Sequence, residues 1–369
     1  MRRALPSTKV HDMTQITIQA GSKAYQQIKS RGLSPADIST IFGASGAAKW
    51  LAIYGLDKAI FSQWLVGIRH KIDVFGTSVG AFKLAAATQS DPAIALDNLA
   101  EAYIHQHYEG DVTTEQISIE TTKILGAFLS DESIKHILNN DHLRFHCASV
   151  LCQGWLGSEH SARQKMAMIK AFALSLIGRR FHKNTLERVI FKSGEQDSAY
   201  QGLDQFKTHQ VNLNEQNFTQ AILSSGSIPV VMPGVTDIPG GPKGTYRDGG
   251  LLDYHPVPTN IVDVSEGLVL YPHFYTYLKE GWFDKFAPWK KVQASQLDRV
   301  VLLSPSDDFT RSLPGASIPD RKDFYTFKDN DDERIRRWTA VKERSEEIGE
   351  EFLELVNTGE IASVVTLIE

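Results

Sequence analysis

The chain has 369 residues, of which 42% are hydrophobic and 22% are charged, and its formal net charge is −5. This composition is that of an ordinary globular protein long enough to bury a large core. The acidic balance excludes a general nucleic-acid-binding protein, which would carry a basic excess. The two cysteines, Cys147 and Cys152, are too few for a disulfide scaffold and predict buried thiols.

The amino-terminal stretch MRRALPSTKVHDMTQ has two arginines but no apolar run behind them. It therefore predicts no signal peptide. No apolar stretch of the sequence approaches the roughly 18 residues that are needed to span a membrane. We therefore expect a soluble, cytoplasmic protein whose only association with a membrane would be peripheral.

The first 90 residues alternate between helical and strand patterns. Apolar residues three and four apart predict helices over 22–32 and 49–65, and an alanine-rich run predicts another over 79–89. Strand patterns lie at the start of 36–50 and over 70–76. This alternation is typical of a mostly parallel sheet covered by helices on both faces.

From about residue 90 to residue 185 the pattern is mainly helical, which predicts an inserted helical layer or cap. Further strand patterns lie at 187–193, 209–214, 267–274 and 298–305. The polar stretch 305–324 predicts a loop, and 331–369 a charged helical tail. We expect one domain over residues 1–369.

Ser78 stands between two glycines in the pentapeptide Gly76-Thr77-Ser78-Val79-Gly80. This spacing fits a strand–turn–helix elbow that exposes a serine hydroxyl above a sheet. The same pentapeptide also arises by chance in chains of this length. A nucleophilic serine further needs a base, donors for an oxyanion and a pocket for the acyl group.

Residues 42–50, FGASGAAKW, are candidates for the oxyanion donors. Their small side chains allow a ligand oxygen to approach the backbone N–H groups, and the helix that follows adds a partial positive charge. Tight packing of a strand on a helix explains the same residues without a ligand. A Walker-type phosphate loop is disfavoured because Trp50, rather than serine or threonine, follows Lys49.

Asp248 is the candidate base. It precedes two glycines in TYRDGGLLDYHPVP, residues 245–258, where bare backbone can turn sharply. An Asp-Gly turn of a simple hairpin is the alternative interpretation. Upstream, ILSSGSIPVVMPGV, residues 222–235, predicts a helix end followed by an apolar, proline-spaced loop suited to lining a pocket.

Taken together, these four stretches resemble the patatin-like phospholipases, a branch of the serine lipid acyl hydrolases. GTSVGA resembles the nucleophile elbow of that family, DGGLLDYHPV its Asp-Gly-Gly segment, and SSGSIPVVMP its serine-rich turn before a proline-bounded loop. FGASGAAKWLAIYGL stands where the family carries its glycine-rich oxyanion segment, with alanine and serine in place of several glycines. The order of the motifs also agrees, over roughly residues 36–90 and 185–305.

The resemblance implies a three-layer α/β/α fold with a mostly parallel central sheet and a helical insertion. It implies a dyad in which Ser78 is the nucleophile and Asp248 accepts its proton, with an acyl lipid as substrate and with neither cofactor nor metal ion. The implied oxyanion donors are the backbone N–H groups of Ser45, Gly46, Ala47 and Val79, and the glycines of the elbow and the turn are Gly76, Gly80, Gly249 and Gly250.

Two other functions remain open on the residues alone. An α/β-hydrolase triad would add His273 or His255 to Ser78 and Asp248, in the chain order that such a triad requires. A lipid-binding relative would keep the fold but lack an activated serine.

The histidines do not predict a metal site. His105 and His107 are two residues apart and would face different sides of a helix. His142 and His146 are four apart, but they lack the glutamate of a zincin motif.

Residues 161–181, SARQKMAMIKAFALSLIGRRF, combine large apolar side chains with lysines and arginines. This helical stretch is either a core-facing helix with a basic end or a cap that contacts lipid. We expect Met168 and Phe172 to face the opening at Ser78, because a long acyl chain needs an apolar wall there.

Overall fold

The fold is built on a β-sheet with helices packed against it. The computed structural model describes residues 14–369 apart from residues 111, 195–199, 265, 288 and 329, and the signal-peptide prediction falls mainly on residues outside this part. In the described part the sheet has eleven strands. They are β1 (Ile16–Ala20), β2 (Ile38–Gly43), β3 (Ile72–Thr77), β4 (Leu143–Cys152), β5 (Leu186–Lys192), β6 (Thr208–Asn212), β7 (Val235–Thr236), β8 (Thr245–Asp248), β9 (Leu268–Pro272), β10 (Val300–Pro305) and β11 (Thr366–Leu367).

The helices differ widely in length and type. The α-helices of the described residues are α1 (Ser22–Arg31), α2 (Tyr54–Ala59), α3 (Val79–Ala87), α4 (Pro92–Ile104), α5 (Thr114–Phe128), α6 (Asp131–Leu138), α7 (Ser161–Ile177), α8 (Phe218–Ser225), α9 (Pro258–Ile261), α10 (Asp307–Ser312), α11 (Asp323–Thr326), α12 (Asp331–Arg344), α13 (Glu346–Thr358) and α14 (Ile361–Val364). The helix predicted over 49–65 is divided into a 3₁₀ turn (Ala47–Ile53), α2 and a π-helical turn (Ile60–Trp64).

Most neighbouring strands of the sheet run parallel. The strand order is β11-β1-β10-β9-β2-β3-β4-β5-β6, while β8 pairs with both β4 and β7. The central pairs from β10 through β9, β2 and β3 to β4 are parallel, whereas β1/β10 and β4/β5 are antiparallel. The predicted α/β class with a mostly parallel central sheet flanked by helices is confirmed.

The centre of the sheet is buried on both faces, as is usual for parallel strands. Every residue of β3 is buried, and so is every residue of α3, the helix directly after it. Burial of the Lys83 ammonium within α3 is compensated by Asp57 of α2, whose two carboxylate oxygens accept hydrogen bonds from Lys83 Nζ at 2.9 Å. These contacts fix the segment that carries Ser78 between strand and helix.

The stretch from residue 90 to residue 185, which is predicted to be mainly helical, contains the helices α4, α5, α6 and α7, but also a strand that its sequence pattern does not indicate. This strand, β4, lies beside β3 near the middle of the sheet. The polar residues of β4 interrupt the apolar pattern expected of a buried strand. Their hydrogen-bond partners lie far away in the sequence, so no local pattern shows that these residues are paired. His146 Nε2 lies 3.2 Å from Asp73 Oδ1, and Ser149 Oγ lies 2.6 Å from Ser224 Oγ.

The carboxyl-terminal stretch 331–369 packs closely on the rest of the molecule. It forms α12, α13 and α14, and its last residues form β11, which pairs with β1 at the edge of the sheet. A Cβ atom at Gly349 of α13 would lie 2.4 Å from the carbonyl oxygen of Gly55 in α2. The two helices are therefore in backbone contact, and Gly359, with φ 78°, ends α13.

Candidate active site

Ser78 occupies a sharp turn between β3 and α3. Its backbone angles are φ 53° and ψ −131°, a conformation that costs a residue other than glycine about 1–3 kcal/mol. A Cβ atom at Gly76 would lie 2.5 Å from the backbone of Gly80, and one at Gly80 would lie 2.2 Å from the carbonyl oxygen of Gly43. The close contact of strand and helix therefore requires both glycines.

The pairing of three strands brings Ser78 and Asp248 together. On one edge of β4, β3 ends with Thr77 opposite Ala148. On the same edge, β8 approaches from the other direction and ends with Asp248 opposite Ser149, the next residue of β4. The ends of β3 and β8 thus meet head-on, and the residue that follows Thr77 lies beside Asp248.

The two side chains form a buried hydrogen-bonded pair. Ser78 Oγ donates to Asp248 Oδ2 at 2.8 Å, and the N–H of Gly250 donates to Asp248 Oδ1 at 2.7 Å. Burial raises the pKa of Asp248 to about 6, against the hydrogen bonds from Ser78 and Gly250 and the positive charges of Arg321 and Lys285, which lower it. The carboxylate is therefore mainly ionised at neutral pH and can still accept a proton.

The serine-rich turn after α8 holds both members of this pair. Ser225 Oγ accepts a hydrogen bond from the N–H of Ser78 at 3.0 Å and donates to the carbonyl oxygen of Ala148 at 2.7 Å. The carbonyl oxygen of Ser227 accepts a hydrogen bond from the N–H of Asp248 at 3.0 Å. The sequence of this motif predicts the wall of a pocket, whereas its role in holding the backbone depends on contacts that only the structure reveals.

The two glycines after Asp248 lie in equally confined positions. A Cβ atom at Gly249 would lie 2.2 Å from the carbonyl oxygen of Ala148, and one at Gly250 would lie 2.6 Å from Ser45 Oγ. A larger residue at either position would displace the backbone that bonds to the Asp248 carboxylate.

The four predicted oxyanion donors are not equivalent. The N–H of Ser45 donates to the carbonyl oxygen of Tyr254 at 2.8 Å, so the prediction of a free donor at Ser45 is wrong. Gly46 and Ala47 line the same cavity as Ser78 and begin a 3₁₀ turn, where N–H groups have no acceptor within the helix. The N–H of Val79 has the same position at the start of α3. Gly46, Ala47 and Val79 remain the candidates.

Neither candidate histidine of a triad contacts the pair. His273 Nδ1 accepts a hydrogen bond from the N–H of Tyr275 at 2.9 Å, and His255 Nδ1 accepts one from the N–H of Lys279 at 2.9 Å. Burial lowers the pKa of His273 to about 3 and that of His255 well below its usual value. In the described residues neither ring forms a hydrogen bond to Ser78 or Asp248, so the triad geometry is absent.

Asp253, the second carboxylate of the segment that begins at Asp248, is paired with Arg188. Its carboxylate accepts hydrogen bonds from Arg188 Nε at 2.7 Å and from an Arg188 terminal nitrogen at 2.9 Å, and Arg188 also binds Asp204 at 2.8 and 2.9 Å. Thr77 Oγ1 donates to the carbonyl oxygen of Asp253 at 2.7 Å. This buried network anchors the segment after Asp248 beneath β3.

Ser78 and Asp248 open into a cavity of about 760 Å³. Its apolar and aromatic lining includes Met168, Ile169, Ile228, Pro229, Val230, Val231, Leu251, Tyr254, Tyr275, Tyr277, Trp282, Phe286 and Tyr325. A smaller cavity of about 120 Å³ adjoins it, also lined by Ser78. The apolar loop at 228–231 is part of the lining, as its sequence predicts, but residues 275–286 and 320–325 carry no motif that would predict theirs.

Helix α7 forms part of the cavity wall, although not with both predicted residues. Met168 lines the cavity, whereas Phe172 does not and instead packs edge-to-face on Phe286 with ring centroids 5.4 Å apart. Gln164, buried in α7, accepts a hydrogen bond at 2.5 Å from the N–H of Val230, whose φ of 69° is strained for a β-branched residue. This contact fixes α7 to the loop opposite Ser78.

Within the described residues, no three histidine, cysteine, aspartate or glutamate side chains come together as a metal site. Both cysteines are free thiols and are buried, as predicted. Among the described helices none is both long and apolar enough to cross a membrane.

Comparison with solved structures finds similar chains, and two of them are described here. VipD from Legionella pneumophila matches over 76% of this chain with 11% identity and a TM-score of 0.33, and human GIVD cytosolic phospholipase A2 matches over 92% with 10% identity and a TM-score of 0.34. The match spans 57% and 63% of those two chains. No family model and no curated protein matches the sequence. Because both TM-scores are low, we base function on the geometry of the chain's own site.

Proposed function

We propose that the chain is a serine hydrolase of the patatin-like type that cleaves carboxylic esters of acyl lipids. The observation that carries this proposal is the 2.8 Å hydrogen bond from Ser78 Oγ to Asp248 Oδ2, made from a strained elbow that opens into a large cavity. The order of the sequence motifs around these residues supports the same assignment.

In the proposed reaction, Ser78 Oγ attacks the carbonyl carbon of the ester while Asp248 accepts the hydroxyl proton. The C–O bond to the alcohol then breaks, the alcohol leaves with the proton from Asp248, and the acyl group remains on Ser78. Water next attacks the acyl carbon and passes a proton to Asp248. The fatty acid departs from Ser78 Oγ, which regains its proton.

The negative charge of each tetrahedral intermediate needs donors that are fixed before the reaction. We assign this role to the N–H groups of Gly46, Ala47 and Val79, which lie at two helix starts beside Ser78. The bond of Ser45 to Tyr254 has a supporting role, because it holds the loop that carries Gly46 and Ala47.

An acyl lipid suits the apolar lining of the cavity. Helix α7 lines the cavity with Met168 and Ile169, and it also has exposed apolar side chains, since Met166, Ile169 and Ile177 are 60%, 69% and 71% exposed. Together with the lysines of the same helix, they suit peripheral contact with a lipid surface. The proposal treats the chain as one domain in which the helices between residues 90 and 185 complete the wall of the site.

Two measurements test the proposal together: labelling by a fluorophosphonate probe and hydrolysis of a short acyl ester. The unmodified protein should show both, and Ser78→Ala should lose both while keeping its far-UV spectrum and melting temperature. Ser363→Ala, an exposed serine of α14, is the matched control and should behave as the unmodified protein. An unmodified protein that binds the ester but neither labels nor hydrolyses would instead be a lipid-binding relative.

A further inference from the structure

The two cavities that meet at Ser78 differ in chemical character. The larger one has six lysines and arginines and two aspartates among the described residues of its lining, and Lys285 is exposed at its mouth. The smaller one has a single charged side chain among the described residues of its lining, that of Arg321, which also lines the larger cavity. An ester bound at Ser78 would therefore have a polar space on one side and a mainly apolar space on the other.

Three polar side chains of the smaller cavity are paired within the protein. Gln106 Nε2 donates to the carbonyl oxygen of Tyr103 at 2.7 Å, and Gln106 Oε1 accepts a hydrogen bond from the Tyr108 hydroxyl at 3.0 Å. Thr121 Oγ1 donates to the carbonyl oxygen of Ile117 at 2.8 Å. These groups need no ligand, so the cavity mainly offers apolar surface, on which a hydrocarbon chain gains free energy by leaving water.

The candidate oxyanion donors lie where the two cavities join. Val79 lines the smaller cavity, Gly46 lines the larger and Ala47 lines both. The ester carbonyl oxygen would bind at this junction, beside Ser78 Oγ, so the two halves of the ester point into different cavities. The acyl chain suits the smaller, apolar cavity. The alcohol portion, which has to leave first, suits the larger cavity with its polar lining and its exposed mouth.

The inner wall of the smaller cavity belongs to the core. Phe82 of α3 and Met232 are both buried. A Cβ atom at Gly226, directly after α8, would lie 3.1 Å from the Phe82 ring, so this wall is closely packed. On the other side of the cavity Val112 and Tyr325 are exposed. A chain longer than the cavity would meet the packed wall or extend into water, and neither outcome adds buried surface.

The volume of the smaller cavity limits the chain that it can hold. An apolar cavity of about 150 Å³ holds one molecule of benzene, a ring of six carbons. By the same measure, a cavity of about 120 Å³ has room for about five carbon atoms. Because the carbonyl carbon stays outside this cavity, at Ser78, the acyl group that fills it is hexanoyl.

We propose that the smaller cavity is the acyl-chain subsite and that its size makes the protein select short acyl chains, up to hexanoyl. This inference rests on the proposed hydrolase function and names its substrate class, which is the short-chain acyl esters of a polar alcohol. The residues that determine the specificity are those of the cavity wall, Met232 and Ile117 among them.

The first test measures kcat/KM for the acetyl, butanoyl, hexanoyl, octanoyl and decanoyl monoesters of glycerol, each below the concentration at which it aggregates. The value should increase about fourfold for each added methylene group up to hexanoyl, because each methylene that leaves water adds to binding in the transition state. It should then stop rising, which makes hexanoyl the length limit. A value that continues to increase through decanoyl would overturn the proposal.

Met232→Ala and Met168→Ala are matched variants, because each shortens a methionine that lines one of the two cavities. Met232→Ala enlarges the smaller cavity, so the length limit should move from hexanoyl to octanoyl. Met168→Ala enlarges the larger cavity and should keep the hexanoyl limit. A limit that moves in Met168→Ala and not in Met232→Ala would place the acyl chain in the larger cavity and overturn the subsite.

Ile117→Phe tests the length limit in the opposite direction and removes no side chain from the core, since Ile117 is half-buried on α5. The larger ring takes up part of the smaller cavity, so the limit should fall to butanoyl, while kcat/KM for the acetyl ester changes little. A hexanoyl limit that persists in folded Ile117→Phe and in folded Met232→Ala would overturn the subsite.

A binding test separates the subsite from the hydrolase function. Calorimetry with Ser78→Ala should show that affinity increases from the acetyl to the hexanoyl ester and is then constant through decanoyl. This pattern would support the subsite even if the unmodified protein hydrolysed none of the esters, a result that would contradict the proposed function alone. Affinity that does not depend on chain length, or that increases steadily through decanoyl, would overturn the subsite even if the esters were hydrolysed.

Discussion

The two sides of Ser78 differ in how their polar groups are paired. On the side of the proposed base, the Asp248 carboxylate accepts hydrogen bonds from Ser78 and Gly250, and the end of α8 with the turn after it holds the backbone of both residues. On the side of the cavity mouth, Lys285 and Arg321 have no acidic partner in the described residues.

This difference separates two requirements of catalysis. A region whose polar groups are satisfied within the protein has a fixed geometry before any ligand binds, which suits the group that transfers a proton. A region with unpaired cations gains its partners only when a ligand binds, which suits recognition. Substitutions on the first side should slow the hydrolysis of every ester, whereas substitutions on the second should change which ester is preferred.

The largest effect is expected from Asp248→Asn. The amide keeps the size of the side chain but cannot accept the Ser78 proton, so kcat on a short neutral ester should fall by about 10²-fold or more. His273→Ala and His255→Ala are the comparison variants, because a triad would require one of these rings. High activity in Asp248→Asn together with complete loss in either histidine variant would contradict the dyad.

A smaller loss is expected from Ser225→Ala. The substitution removes the acceptor for the N–H of Ser78, so the strained elbow loses one of its restraints, and we expect a decrease of about tenfold in kcat with little change in KM. Ser224→Ala is the matched control: it is also buried at the end of α8, but its hydroxyl contacts Ser149 and the carbonyl oxygen of Ala221. Equal losses of kcat in the two variants would show that the loss comes from removing any buried hydroxyl at the end of α8, and not from the bond to the N–H of Ser78.

The same two sides also differ in how far the sequence predicts them. Ser78 and its glycines were predictable because steric contact restricts Gly76 and Gly80 to one residue type, and this restriction is visible within five residues of sequence. Asp248 stands before two glycines that are confined in the same way, but its role as base was implied only by the family resemblance. The mostly parallel character of the sheet followed from the alternation of helix and strand.

The remaining features depend on contacts between distant parts of the chain. The N–H of Ser45 is taken by the carbonyl oxygen of Tyr254, and the polar residues of β4 are paired with Asp73 and Ser224, so no local pattern reveals them. Arg321 belongs to a stretch that predicts only a loop. Its place in the lining of both cavities at Ser78 depends on how this stretch packs on distant parts of the chain.

The smallest expected effect is a shift in the pH dependence of kcat/KM for a neutral ester. This dependence reflects both the Asp248 carboxylate and the cations on the other side of Ser78. Asp248 must be ionised to accept the proton of Ser78, so activity should fall about tenfold per unit below pH about 6. Lys285 and Arg321 lower this pKa by favouring the carboxylate. Replacing either by glutamine removes a positive charge, so the pKa should rise and the acid limb should move to higher pH.

The shift should be less than about one pH unit for each variant, because both cations act on Asp248 through space rather than by a hydrogen bond. Raising the salt concentration should also move the acid limb of the unmodified protein to higher pH, because ions screen the two cations. The same change in salt should have less effect in Lys285→Gln and Arg321→Gln. Arg163→Gln and Lys170→Gln, which change exposed cations of α7, should leave the limb in place. A limb that moves to lower pH, or one that does not respond to either substitution, would mean that the cations of the cavity mouth and the base do not interact. The two sides of Ser78 would then be independent in charge as well as in hydrogen bonding.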